Sequence, residues 1–131
     1  MKYVHFAFDI TERPQPGDEI DLIGAAGVSG KLSVVSDVED ADPETEFGRI
    51  LTLRFTFAEP FEIEDYPIVQ LETEQLPSSI YDPPNPGLPP SFSGSPTRRK
   101  HDIDFPLFWN DDPEPSIPTG PARFHVTIVG H

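Results

Sequence analysis

The feature that most constrains this fold is an alternation of apolar and polar residues along most of the chain. The clearest case places Leu51, Leu53, Phe55 and Phe57 on one side and Thr52, Arg54 and Thr56 on the other. Successive side chains of a strand point to opposite faces, so this period predicts strands with one face in a core and one in water. The same period recurs in residues 4–10, 103–109 and 124–128.

The alternation and the turn signals between the runs define a fold class. No segment combines a capping residue, an apolar stripe of period 3.6 and ten uninterrupted residues, so no long helix is expected. About seven short strands separated by turns indicate an all-β fold, a single antiparallel β-sandwich of the jelly-roll or Ig-like kind. The 131 residues, of which 36% are hydrophobic, match one domain spanning residues 1–131.

Residues 48–74 contain two strand-like runs joined by an acidic connector that is marked by Pro60 and Pro67. Pro67 can open the second run, because the first position of a strand need not donate to the ladder. Val69 and Leu71 then continue the inward pattern. The stretch is interpreted as a hairpin.

Two segments depart from the strand pattern. Residues 36–46 contain six acidic residues and no basic one, which is typical of a solvated loop. Residues 76–100 are rich in Pro, Gly and Ser, a composition that favours an extended path, and a loop of this length is often functional or disordered. We expect an ordered arm that packs on a neighbouring subunit through Tyr81, Leu88 and Phe92; a disordered loop is the alternative.

The charge balance limits the partners of the chain. With 23 acidic and 9 basic residues, the formal charge is −14, which would repel a phosphate backbone and argues against nucleic-acid binding. Arg98, Arg99 and Lys100 form the only basic cluster, at the end of the Pro-rich arm. We expect this cluster to dock on acidic residues of an adjacent subunit, with a solvated loop end as the alternative.

The sequence offers no convergent catalytic or metal-binding pattern. It has no cysteine and no Gly-x-Ser-x-Gly elbow, and its four histidines never occur at a metal-ligand spacing. Residues 101–112 hold several oxygen ligands, but Asp102 and Asp104 alternate with Ile103 and Phe105 and are expected on a solvent face. The predictions are therefore no enzyme activity, no metal and no cofactor.

Residues 1–10 are too short, and too interrupted by His5 and Asp9, to form a signal-peptide core or a membrane span. We therefore expect neither a signal peptide nor membrane insertion.

Four stretches together carry a family resemblance. Residues 24–35 are a Gly-rich lead into a strand, residues 57–61 read Phe-Ala-Glu-Pro-Phe, residues 67–71 read Pro-Ile-Val-Gln-Leu, and residues 128–130 end the chain's last run with Ile-Val-Gly. This succession resembles the β-sandwich tip or knob domain of tailed-bacteriophage virion proteins, which occurs in head fibres, decoration proteins and tail fibres. The resemblance covers roughly residues 21–130, although the Pro-rich arm stands where that family has a short small-residue segment.

The resemblance implies a non-catalytic virion surface protein, made in the host cytoplasm and assembled as a homotrimer. A strand begins almost at Met1 with no shaft-like repeat before it, which favours a capsid decoration protein that binds itself and the shell. The alternative is a tail-fibre or head-fibre tip that recognises host-surface carbohydrate through Tyr66 and Tyr81. Trp109 falls on an apolar face and is expected in the core.

Overall fold

The computed structural model is built from antiparallel strands and describes residues 2–11, 13–27, 29–39, 48–59, 68–75, 91–92, 94–110 and 122–130. The ten strands in these ranges are β1 (Lys2–Ile10), β2 (Glu19–Ile20), β3 (Ile23–Gly27), β4 (Gly30–Glu39), β5 (Gly48–Phe57), β6 (Ile68–Gln75), β7 (Ser91–Phe92), β8 (Thr97–Arg98), β9 (Asp102–Asn110) and β10 (Ala122–Gly130). The described residues contain no helix, so the predicted all-β class is confirmed.

The strands form two antiparallel sheets. In the first sheet the order is β3-β1-β10-β6, and β1 pairs with β10 over nine residues, from Lys2 opposite Gly130 to Ile10 opposite Ala122. In the second sheet the order is β2-β4-β5-β9, and both β7 and β8 pair along the far edge of β9. The first and last described strands thus lie together in the centre of one sheet.

A single hydrophobic cluster joins the inner faces of the two sheets. The ring of Phe6 in β1 stacks on that of Phe55 in β5 with centroids 4.5 Å apart. The buried residues predicted by alternation are Val4, Phe6, Phe8, Ile10, Leu51, Leu53, Phe55, Phe57, Ile103, Phe105, Leu107, Trp109, Phe124, Val126 and Ile128. This arrangement is consistent with a β-sandwich, and the position of Trp109 in the core is confirmed.

The predicted hairpin of residues 48–74 is wrong. β5 pairs with β4 and β9 in the second sheet, whereas β6 pairs with β10 in the first. β5 and β6 therefore belong to different sheets. Alternation specifies which face of a strand is buried, and Val69 and Leu71 do pack against the core, but alternation does not specify which strand lies alongside.

The acidic segment also begins differently from the prediction. Ser36 to Glu39 continue β4 instead of forming a loop, and residues 40–46 lie outside the described residues. The pairing of β4 with β5 shifts between Val34 and Ser36, as in a β-bulge, so that Asp37 lies opposite the buried Leu51. One extra residue thus turns an acidic side chain towards the inner side of the sheet.

Two glycines are required by the local backbone. Gly17 has a φ of 95° in the turn after β1, and its N–H donates to the carbonyl of Val34 at 2.8 Å. At Gly30, a Cβ atom would lie 2.5 Å from Cζ of Phe55, because the first residue of β4 passes directly over that ring. A side chain at Gly30 would therefore displace a residue at the centre of the core.

Candidate functional site

The end of the Pro-rich segment is held against the second sheet by an ion-pair cluster. Arg54 in β5 lies opposite Asp104 in β9 and binds it through two hydrogen bonds, from Nε to Oδ1 at 2.7 Å and from Nη2 to Oδ2 at 3.1 Å. Arg99, just after β8, donates from Nε to Asp102, and its Nη2 lies 2.7 Å from Oδ1 of Asp104. We call Arg54, Arg99, Asp102 and Asp104 the arginine clip.

Within the clip, the electrostatics favour the charged forms of Arg54, Arg99 and Asp104. Burial alone would raise the pKa of Asp104, but hydrogen bonds and charge attraction from Arg54 and Arg99 outweigh burial and place the pKa below its ordinary value. The same contacts raise the pKa values of both guanidinium groups, with the hydrogen bond to Asp104 as the largest cause in each. Each of the two carboxylates thus has an arginine partner within its own chain.

The residues predicted to contact a partner have different surroundings. Phe92 packs on the core of its own chain, with its ring centroid 4.9 Å from that of Phe124 and 6.0 Å from that of Phe105. Arg98 lies in β8 opposite Ile103, Arg99 belongs to the arginine clip, and Lys100 is exposed. Contact of these four residues with a second subunit stays a prediction.

Several predicted site residues lie outside the described part of the chain. They are Tyr66, Tyr81 and Leu88. Their roles in carbohydrate or subunit binding stay predictions, as do the course of the arm over residues 76–90 and the extent of the domain.

A row of polar contacts crosses the outer face of the first sheet. Arg123 donates to both carboxylate oxygens of Asp9 on the neighbouring strand, at 2.7 and 3.0 Å. This hydrogen bond is the largest cause of the lowered pKa of Asp9. Further along, His125 Nε2 lies 3.2 Å from a Glu74 oxygen, and its ring stacks on that of His5 with centroids 6.5 Å apart.

The contact of His5 with Thr127, 3.0 Å from Nδ1 to Oγ1, has the composition of a base next to a hydroxyl nucleophile. Its setting differs from that of a catalytic pair. Both residues lie on the outer face of central strands, and β10 is paired on both sides, so its backbone N–H groups are used by the ladders. The backbone N–H groups of β10 beside Thr127 are thus not free to bind an oxyanion.

On the outer face of each sheet, apolar side chains lie side by side on adjacent strands. On the first sheet, Tyr3 and Ile68, which are 53% and 63% exposed, flank Val129 on the strand between them. We call Tyr3, Val129 and Ile68 the first apolar row. On the second sheet, Val38, Ile50 and Phe108 lie side by side on β4, β5 and β9 and form the second apolar row.

An acidic cleft opens where the chain crosses between the sheets, from β2 to β3. Its volume is about 410 Å³, and its lining includes Ile10, Ile20 and Ile23 together with carboxylates. Among those carboxylates, Asp9 is bound by Arg123, and Asp18 accepts a hydrogen bond from the backbone N–H of Gln15. The described residues contain no group of three or more His, Cys, Asp or Glu side chains suited to a metal ion.

The sequence interpretation missed three features of these surfaces. The pairing of Arg54 with Asp104, and the inward position of Asp37 opposite Leu51, depend on strand register, which the sequence alone does not specify. The exposure of Tyr3 could have been predicted from the sequence, since Tyr3 immediately precedes the inward Val4 in a strand of period two.

In the part of the chain that the structure describes, no helix is long and apolar enough to cross a membrane.

Comparisons with known proteins add no relative. No protein-family model matches this chain, and neither a curated protein nor a solved structure is similar enough to count as a match.

Proposed function

We propose that this protein is a non-catalytic structural protein of a tailed-bacteriophage virion, a capsid decoration protein that binds copies of itself and the shell. Its fold is a β-sandwich of the jelly-roll or Ig-like kind. It acts through the surface of that sandwich. Homotrimeric assembly and a place on the virion surface are part of the proposal, because they follow from the family resemblance of the strand pattern.

The observation that carries the proposal is the pair of apolar rows on the outer faces of the sheets. Single exposed apolar residues are normal on a protein surface, whereas large contiguous apolar patches are characteristic of contact sites. The first apolar row spans three adjacent strands, with Tyr3 and Ile68 more than half exposed. A rigid sheet face with apolar side chains at fixed spacing is suited to packing against another protein surface.

A recognition module for host-surface carbohydrate is the second candidate function. The exposed ring of Tyr3 gives it one supporting observation, because sugars stack on exposed aromatic rings beside hydrogen-bonding groups. On the same outer face, His5 and Thr127 could supply such groups.

Immunogold labelling tests the location. An antibody raised against the full chain would be applied to tailed particles purified from the source of the sequence. The proposal predicts gold distributed over the head. Labelling confined to the tail tip would contradict the decoration role and favour the tail-fibre form of the carbohydrate-binding alternative. Particles without label, from a preparation in which the antibody detects the free chain, would contradict both.

A further inference from the structure

We propose that the outer edge of β6 is a pairing site for β6 of a second copy of this chain, related by a two-fold axis through Leu71. The inference rests on the self-association proposed above and specifies how two copies would meet. A two-fold dimer would take the place of the homotrimer in the proposed function, and the mass measured below separates the two assemblies.

The edge strands of the two sheets differ in length and regularity. Within the described residues, β6 pairs with β10 on one side and with no strand on the other, and it is eight residues long. The opposite edge strand, β3, has five residues, an irregular pairing with β1 and a Gly24 with a φ of 60°. The edge strands of the second sheet, β2, β7 and β8, have two residues each. Short or irregular edges resist strand addition, whereas a long regular edge accepts it.

The core is incompletely covered beside β6. On the neighbouring strand β10, Val126 and Ile128 are fully buried, but their partners Leu71 and Val69 are only partly buried. A strand added next to β6 would extend the sheet and bring side chains beside these two residues. Strand addition would therefore remove apolar surface from water as well as pair backbone groups.

The sequence of β6 is complementary to itself in one register. With the axis at Leu71, the side chain of Leu71 faces Leu71 of the second copy on the core side. On the outer side, Gln70 faces Glu72 and Ile68 faces Glu74, so no two carboxylates lie opposite each other. Moving the axis to Glu72 would instead oppose two Glu72 side chains, which is unfavourable for directly opposite residues.

Charge gives this contact a characteristic salt response. Each chain has a formal charge of −14, so two copies repel each other at low ionic strength. Added salt screens that repulsion and should tighten a contact made by backbone pairing and Leu71. Docking of the basic residues 98–100 on acidic residues of a second copy would weaken with salt, so the two kinds of contact respond in opposite directions.

Sedimentation equilibrium of the full chain over a range of concentrations tests the pairing through Gln70, which is exposed and faces Glu72 of the second copy. Gln70→Lys should tighten the dimer and Gln70→Glu should weaken it, each by about 2- to 30-fold, because two cross-strand pairs change per dimer. Thr56→Lys and Thr56→Glu are the matched controls, since Thr56 is exposed on a central strand of the other sheet. Circular-dichroism melting verifies that all four variants fold.

Three results would overturn the inference: a single-chain mass at every concentration, a mass of three chains, or shifts at Gln70 no larger than those at Thr56. Hydrogen exchange gives a second readout, in which amides of β6 but not of β3 should become protected as concentration rises. The proposed function fails separately, on the immunogold result. If the heads are labelled but β6 does not pair, the proposed function is supported and the pairing is not. If β6 forms a dimer but the particles are unlabelled, the pairing is supported and the proposed function is not.

Discussion

Asp37 is the residue at which local sequence and final environment differ most. It lies in a stretch with six acidic and no basic residues, yet its side chain is only 5% exposed. Arg13, from the turn after β1, binds its Oδ2, and Arg49 in β5 donates from Nε to its Oδ1 at 2.9 Å. A buried carboxylate needs such partners, because removing its hydration without compensation is costly.

Replacing Asp37 with Ala should therefore lower the free energy of unfolding by about 2–3 kcal/mol, since two partly buried guanidinium groups lose their shared acceptor. Glu39→Ala is the matched control, because Glu39 is 88% exposed and its nearest oxygen is 3.9 Å from Nη1 of Arg49. That control should change stability by less than about 0.5 kcal/mol. Urea unfolding measures both variants, and equal effects would contradict the importance assigned to Asp37.

Asp104 gives the fold a pH dependence whose direction can be stated. Its pKa in the folded chain lies below the ordinary value of 3.8. The stability contributed by its ionised form is present above pH 3.8 and is lost as the pH falls through the folded-state pKa. Asp104→Asn should cost about 1–2 kcal/mol at pH 7. The difference between the two proteins should shrink below pH 3.8, as measured by thermal melting from pH 7 to pH 2.5, and a constant difference would contradict the lowered pKa.

At the scale of elements, the sequence predicted the buried face of each strand better than it predicted which strands pair. Alternation in β1, β5, β9 and β10 correctly identified the buried side chains, because a strand's period is a local property. Strand pairing is not local. β5 and β6 follow each other in the chain but lie in different sheets, and β1 finds its partner in β10 at the other end. The β-bulge in β4 changed the face of Asp37 for the same reason, since it arises from pairing with β5.

The candidate site was predictable to a smaller extent. The basic cluster at residues 98–100 was visible in the sequence, but its role depends on the acids beside it. Asp102 and Asp104 were expected on the face opposite Ile103 and Phe105, and they lie there. That Arg54 and Arg99 meet them follows from the register of β5 with β9 and from the position of β8.

The basic cluster of residues 98–100 has two possible roles, stabilising its own chain through the arginine clip and docking on a second subunit. Single substitutions separate these roles. Arg99→Ala should lower the free energy of unfolding by about 1 kcal/mol, because Asp102 and Asp104 lose a charged donor. Lys100→Ala should change stability by less than about 0.5 kcal/mol, since Lys100 is exposed. If the cluster also docks on a second subunit, Lys100→Ala should weaken assembly at low salt, as followed by sedimentation velocity. Assembly unchanged by Lys100→Ala would argue against a docking role for that residue.

At the scale of the whole molecule, the chain combines a compact two-sheet core with a strongly acidic surface. Repulsion between copies opposes association in free solution, and the proposed contacts through the apolar rows and the edge of β6 would have to outweigh that repulsion. The balance between these effects depends on ionic strength. The proposed assembly should therefore form most readily at an ionic strength that screens the repulsion.

The central claim is that this protein works by contact between copies, and its mass in solution tests that claim most directly. Light scattering behind a sizing column, at low and high salt, should give a multiple of the 14.6 kDa chain mass. Three chains would support the symmetry that the resemblance implies, whereas two chains whose association strengthens with salt would support pairing through β6. A single-chain mass at every salt and protein concentration would contradict the claim.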